Sequence, residues 1–209
     1  MAKRLFDLIV AIAALLLLSP LLLALCLVVR IGLGSPIFFR QTRPGLHGRP
    51  FGLIKFRTML NPRAGAAADV ASDAQRLTRL GRFLRAASLD ELPELWNIIR
   101  GDMSLVGPRP LLMQYLDRYT PEQARRHEVR PGLTGWAQVN GRNALAWEDK
   151  FALDVWYVDN RSMLLDLRIL FMTAWKLLKP SGITGEGAAT MTEYMGPARP
   201  EVVRADKPE

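Results

Sequence analysis

Cysteine is nearly absent from this 209-residue sequence: only Cys26 is present, and it lies inside an apolar run. A disulfide framework and a Cys-rich metal site are therefore excluded, and a reducing cytoplasmic side fits the composition. There is no internal repeat. No recognised nucleic-acid motif accompanies the basic residues, so a nucleic acid is not an expected partner. No small-residue cleavage site follows the apolar run, which exceeds the roughly 7–15 residues of a signal-peptide core. Acids are outnumbered, with 20 Asp and Glu against 28 Lys and Arg, and the resulting charge of +8 favours anionic partners such as phospholipid head groups or phosphorylated substrates. The length suits one compact domain plus a membrane segment.

From residue 8 to residue 29 only Ser19 and Pro20 interrupt the apolar side chains. A continuous helix of that length would extend roughly 33 Å, enough to cross a hydrocarbon core of about 30 Å. Pro20, however, removes a helix hydrogen bond and its ring clashes with the Leu16 carbonyl, so a kink or break is expected. Basic residues flank both ends, Lys3 and Arg4 before the run and Arg30, Arg40, Arg43 and Arg49 after it, whereas a spanning helix carries its positive excess on one side. A re-entrant helix-break-helix with Ser19 satisfying freed backbone at the bend answers both observations, and a kinked spanning helix remains the alternative.

Beyond the apolar run, IFFRQ and FGLIKF flank a Pro- and Gly-containing connection and predict a small β-hairpin. Residues 61–75, rich in Ala and Gly, read as an excursion that either closes over a site or is an ordinary surface loop. Helical spacing runs across 77–100 with Gly101 as the C-terminal cap, then across 115–129 as a helix or helix pair, and across 150–178 as one or two amphipathic helices. Trp156, Tyr157 and Trp175 on the last of these suit either the head-group level or the core.

Chemistry concentrates around Asp90 and Glu91, which adjoin a helix expected to begin near Pro93. Two adjacent carboxylates at a helix N-terminus can hold a divalent cation, and one can attack an electrophilic phosphorus. The same residues fit a Ser88–Glu91 capping box, which side-chain chemistry alone favours even though Pro93 distorts it. Arg82, Arg85, Arg100 and Arg109 cluster around the acids, Lys55 and Arg57 come from the hairpin, and Arg130 and Arg142 follow. Guanidinium groups match phosphate oxygens, and Arg109, fixed between Pro108 and Pro110, has the most constrained backbone.

KFRTM (55–59), SLDELPELWNIIRGDMSLVGPRP (88–110), RPGLTGWAQVNGR (130–142) and DVWYVDN (154–160) together resemble the bacterial sugar transferases, the monotopic phosphoglycosyl transferases, in their small form. The resemblance implies an α+β, mainly helical fold: a re-entrant anchor over 1–32 broken at Ser19-Pro20 and a cytosolic catalytic domain over 33–180 with a short β-hairpin and interfacial amphipathic helices; Gly, Pro and isolated charges then predict a loose tail over 181–209. It implies Mg²⁺ dependence, with Asp90 and Glu91 as catalytic and metal-binding residues at the cytoplasmic face of the bacterial inner membrane. The implied reaction moves a sugar 1-phosphate from a UDP-sugar to undecaprenyl phosphate and releases UMP, through an aspartyl-phosphosugar intermediate on Asp90 or by direct displacement. Lys55, Arg57, Arg85, Arg109, Arg142 and Asp154 are the substrate-binding candidates. Large amphipathic helices also leave room for a homodimer. The competing reading is a membrane-anchored scaffold recruiting acidic lipid or a glycan-assembly enzyme through its basic surface.

Overall fold

The computed structural model describes residues 2–61, 76–141, 145–178 and 193–196. The apolar run folds as α1 (Ala2–Leu17) and α2 (Ser19–Leu33), bent by 63°. Pro20 falls in the first turn of α2, where a helix has no use for its missing N–H. Ser19 takes the part expected of it, its Oγ donating to the Leu16 carbonyl at 2.8 Å. Among the described residues no single helix is long and apolar enough to cross a membrane, and only the bent pair together has that length and composition.

Polar residues bind α1 into the protein. Asp7, 2% exposed, accepts from Ser104 Oγ at 2.8 Å and from the Leu105 N–H at 3.2 Å. Arg4 donates to the Ile98 and Ile99 carbonyls at a helix end, and Lys3 pairs with buried Asp166, which also accepts from the Tyr157 hydroxyl. The cations before the apolar run are thus engaged internally. Elsewhere on the pair, Leu5, Ile9, Leu16, Leu23, Leu27 and Ile31 stay exposed.

The expected hairpin forms from β1 (Phe38–Pro44) and β2 (Pro50–Phe56), antiparallel, with Phe39 opposite Lys55 and Arg40 opposite Ile54. Most of the 61–75 excursion lies outside the described residues. Its flanks meet, with a bridge between Met59 and Leu77 and a hydrogen bond from the Leu60 N–H to the Arg76 carbonyl.

The helical stretch across 77–100 is divided. Helix α3 (Arg79–Ala86) is capped by Thr78, a 3₁₀ turn covers Leu89–Glu91, and α4 (Glu94–Arg100) starts after Pro93. Ser88 adopts a left-handed conformation, φ 55°, and its side chain caps nothing, so the Ser88–Glu91 capping box does not form. The physical reason is Pro93: a helix started at Ser88 would meet it in its interior, without a donor and against the Leu89 carbonyl. Reversing at Ser88 and restarting at Pro93 removes the conflict. Gly101, at φ 93°, closes α4 as expected.

Strands β3 (Ser104–Val106) and β4 (Gly132–Thr134) pair in parallel beneath α1 and the C-terminal helices. The stretch across 115–129 forms only short pieces: 3₁₀ turns at Met113–Arg118 and Arg125–Glu128, and α5 (Pro121–Ala124) with a Thr120–Gln123 capping box. Next come α6 (Trp136–Asn140), α7 (Trp147–Asn160) and α8 (Met163–Leu178), the last two filling the amphipathic stretch across 150–178. Ala11, Leu95, Ile98, Met103, Tyr157 and Ile169 form one core, while Leu25, Val29, Phe56 and Leu84 form another beneath α2. Residues 193–196 depart from the loose tail expected over 181–209. Tyr194 is buried among Tyr115, Phe151 and Trp147, with its hydroxyl on Gln123 Oε1, because an aromatic ring with a polar tip gains most when both are accommodated.

One side chain joins hairpin to helix. Asn97, fully buried in α4, accepts from the Ile54 N–H at 3.1 Å and donates to the Gly52 carbonyl at 2.7 Å, serving β2 as a neighbouring strand would. Asn97→Ala leaves these groups unsatisfied and is expected to lower stability by about 1–3 kcal/mol for each group orphaned, read by urea denaturation. A second prediction concerns His127, buried, with an Nε2 that has no hydrogen-bond partner among the described residues. Burial, reinforced by the adjacent Arg126, lowers its pKa from 6.5 to about 4. The fold therefore favours neutral imidazole, and this stabilisation is complete above pH 6.5 and lost as pH falls toward 4, amounting to about 3 kcal/mol. The stability difference between wild type and His127→Gln, followed from pH 7.5 to 4, should shrink by that amount; a constant difference contradicts the assignment.

Candidate active site

Lys55 near the end of β2, the 3₁₀ turn Leu89–Glu91 and the first residue of α4 converge. Lys55 Nζ lies 2.7 Å from Glu91 Oε1 and 3.0 Å from Glu94 Oε1. Arg109 Nη2 reaches the same Glu91 oxygen at 2.6 Å. Two cations thus share Oε1 of Glu91, and among the described residues neither donates a hydrogen bond to Oε2. Burial alone would push the Glu91 carboxyl up, but Arg109 and Lys55 override it and hold the group well below the ordinary carboxylate range. Glu94 shares only Lys55, and burial with the nearby Glu91 charge pushes it up.

Asp90 is 8% exposed, and its carboxylate makes no hydrogen bond among the described residues. Burial, then repulsion from Glu91, raises its pKa against the opposing pull of Lys55, Arg85 and Arg109. A desolvated carboxylate surrounded by cations is suited to attack an electrophile or to bind a cation. The left-handed Ser88 is what turns Asp90 out of a regular helix and leaves it in this setting.

The structure brings Asp90, Glu91, Lys55 and Arg109 together, with Arg85 alongside in the last turn of α3. Arg85 Nε donates to Thr58 Oγ1 at 3.0 Å, and its terminal nitrogens make no hydrogen bond among the described residues. Arg57 is drawn elsewhere: 6% exposed, it donates to the Leu33 and Ser35 carbonyls and to Asn61. Asp154 is buried in α7 and accepts from Arg126 Nε and Nη2 at 3.1 and 2.7 Å. It touches the acidic pair only indirectly, since Arg126 Nη2 also donates to the Arg109 carbonyl at 2.8 Å. Arg142 lies outside the described residues, and Ser19 and Pro20 are at the helix bend.

Three participants carry no strong sequence signal. Glu94 stands three residues beyond Glu91, but Pro93 between them hides their shared face. Arg126 is one of two adjacent arginines in RRHE, indistinguishable from a solvated charge until burial is known. Thr58 is visible only through Arg85. Among the described residues no group of three or more His, Cys, Asp or Glu forms a self-contained metal cluster. The open Asp90 carboxylate and Glu91 Oε2 are hard oxygen donors of the kind Mg²⁺ takes when water and substrate phosphates complete its shell.

Residues 1–180 match the bacterial sugar transferase family. Over 194 residues the chain is 56% identical to the "Uncharacterized sugar transferase EpsL" of Bacillus subtilis (strain 168), covering 93% of this chain and 96% of that protein. It is 43% identical over 185 residues to the UDP-glucose:undecaprenyl-phosphate glucose-1-phosphate transferase of Caulobacter vibrioides, covering 84% of this chain and 69% of the relative. The Escherichia coli (strain K12) protein of the same name is 37% identical over 183 residues, of which the chain spans 39% of the relative's length. The family match takes in the bent helix pair, the hairpin and every residue of the acidic cluster, and the chain belongs to the bacterial sugar transferase family.

Proposed function

We propose that this protein transfers a sugar 1-phosphate from a UDP-sugar to undecaprenyl phosphate, releasing UMP and starting assembly of a bacterial glycan. The observation that carries this reading is the Asp90 carboxylate, buried beside Glu91, Lys55, Arg85 and Arg109 and without a hydrogen bond among the described residues. The activities in the names of the Caulobacter and Escherichia relatives support it.

Asp90 Oδ attacks the sugar-bearing phosphorus, an oxygen–phosphorus bond forms, and the bond to UMP breaks with its electron pair leaving on UMP. An oxygen of the lipid phosphate then attacks the same phosphorus, and Asp90 departs as a carboxylate. Lys55 and Arg109 keep Glu91 ionised and oriented, and Arg85 is placed to meet phosphate oxygens. Asp90 and Glu91 Oε2 would hold Mg²⁺, which neutralises diphosphate charge when bound. Asp154, through Arg126, supports the backbone of Arg109. The bent helix pair with its exposed leucines and isoleucines is read as a re-entrant anchor over 1–32, holding the catalytic unit over 33–180 at the cytoplasmic face of the inner membrane.

The test is UMP release from a panel of UDP-sugars by detergent-solubilised protein with undecaprenyl phosphate and Mg²⁺. Wild type should turn over one or a few donors, and Asp90→Asn should lose at least about 1000-fold. With the lipid withheld, labelled sugar-phosphate should remain on wild-type Asp90. Absence of that adduct in a protein that turns over would favour direct displacement, and full activity in Asp90→Asn would remove Asp90 from the chemistry.

A further inference from the structure

A groove of about 660 Å³ opens beside the C-terminal end of α2, lined by Arg30, Pro36, Phe38, Phe39, Arg40 and Arg57 among others. We propose that this groove receives the acceptor lipid, its phosphate drawn by the exposed Arg30 and Arg40 and its first isoprene units lying on Phe38 and Phe39. This rests on the transferase reading and adds where the second substrate enters.

Charge selects a phosphate. The lining holds three cations and no acid. Arg30 and Arg40 are exposed, while Arg57 is fixed in the wall, 6% exposed and held by the Leu33 and Ser35 carbonyls and Asn61, so that it contributes charge. Guanidinium groups grouped in this way suit phosphate oxygens.

The apolar surroundings select a lipid over a nucleotide. Phe38 and Phe39 are 39% and 46% exposed, and Phe38 is steadied by stacking on Phe56 with ring centroids 5.4 Å apart. Next to Arg30 along α2, Leu27 and Ile31 are 61% and 78% exposed. A phosphate at the arginines therefore has apolar surface on which its chain can continue, which the uridine and ribose of a nucleotide do not require.

The strand that walls the groove pairs with the strand that carries Lys55. Phe39 is the cross-strand partner of Lys55, and such partners share a sheet face with Cβ atoms about 5 Å apart. Lys55 Nζ is bonded to Glu91. Phe39 thus lies on the Lys55 face of the hairpin while Phe38 and Arg40 lie on the other, and the groove straddles the strand beside the site.

The test uses the full-length protein in detergent and a short polyprenyl phosphate carrying a diazirine beside the phosphate, with cross-links mapped by mass spectrometry. Labelling is expected within residues 35–40, competed by unlabelled polyprenyl phosphate and not by equimolar phosphatidylglycerol. Arg30→Ala/Arg40→Ala, both at exposed positions, should lower that labelling and raise KM for the polyprenyl phosphate about 10-fold, with KM for the UDP-sugar unchanged. Labelling elsewhere, equal competition by phosphatidylglycerol, or a raised KM for the UDP-sugar alone would overturn the assignment. Cross-linking needs no turnover, so a wild-type protein that releases no UMP would defeat the transferase reading while the groove is still judged by its label.

Discussion

Both contacts of Lys55 in the acidic cluster depend on one buried carboxamide. Asn97 satisfies two backbone groups of β2 and belongs to the helix that Glu94 begins, so it fixes the distance between hairpin and helix. Lys55 follows Ile54 by one residue and inherits that placement. Without the clamp a flexible lysine would have to find two carboxylates on a separate element, losing side-chain entropy in the search. With it, Lys55 starts within reach of both.

The charges then sort three neighbouring acids into different states. Glu91 takes two cations on one oxygen and is held ionised, Glu94 has a share of one, and Asp90 has no hydrogen-bonded partner among the described residues. Sequence proximity would suggest equivalent carboxylates, but burial and partner count divide them. The rigid Pro-Arg-Pro segment contributes by bringing Arg109 to Glu91, and the Asp154–Arg126 pair supports it from behind through a backbone carbonyl.

Much of this was legible in the sequence because it follows from local covalent facts. Pro20 cannot sit inside an unbroken helix, Gly101 can adopt the conformation that ends one, and the turn residues between IFFRQ and FGLIKF dictate a hairpin. The failures are equally physical. The Ser88–Glu91 pattern satisfies a capping rule locally, yet Pro93 forces the helix to start later and leaves Ser88 left-handed. Arg57 and Arg85, alike on paper, diverge because one is surrounded by free carbonyls beyond α2 and the other by a threonine and the acids. The indirect place of Asp154 and the docking of Tyr194 depend on contacts between distant segments, which no local pattern encodes.

The three polar residues in the first turns of α1 change what an anchor means in this protein. Lys3, Arg4 and Asp7 fasten α1 to α8, to the end of α4 and to β3. In the proposed orientation, the height of the acidic cluster above the acyl chains is then a property of the protein and not of the lipid. A thicker or thinner leaflet would have to deform around α1, because these contacts tie α1 to the catalytic unit.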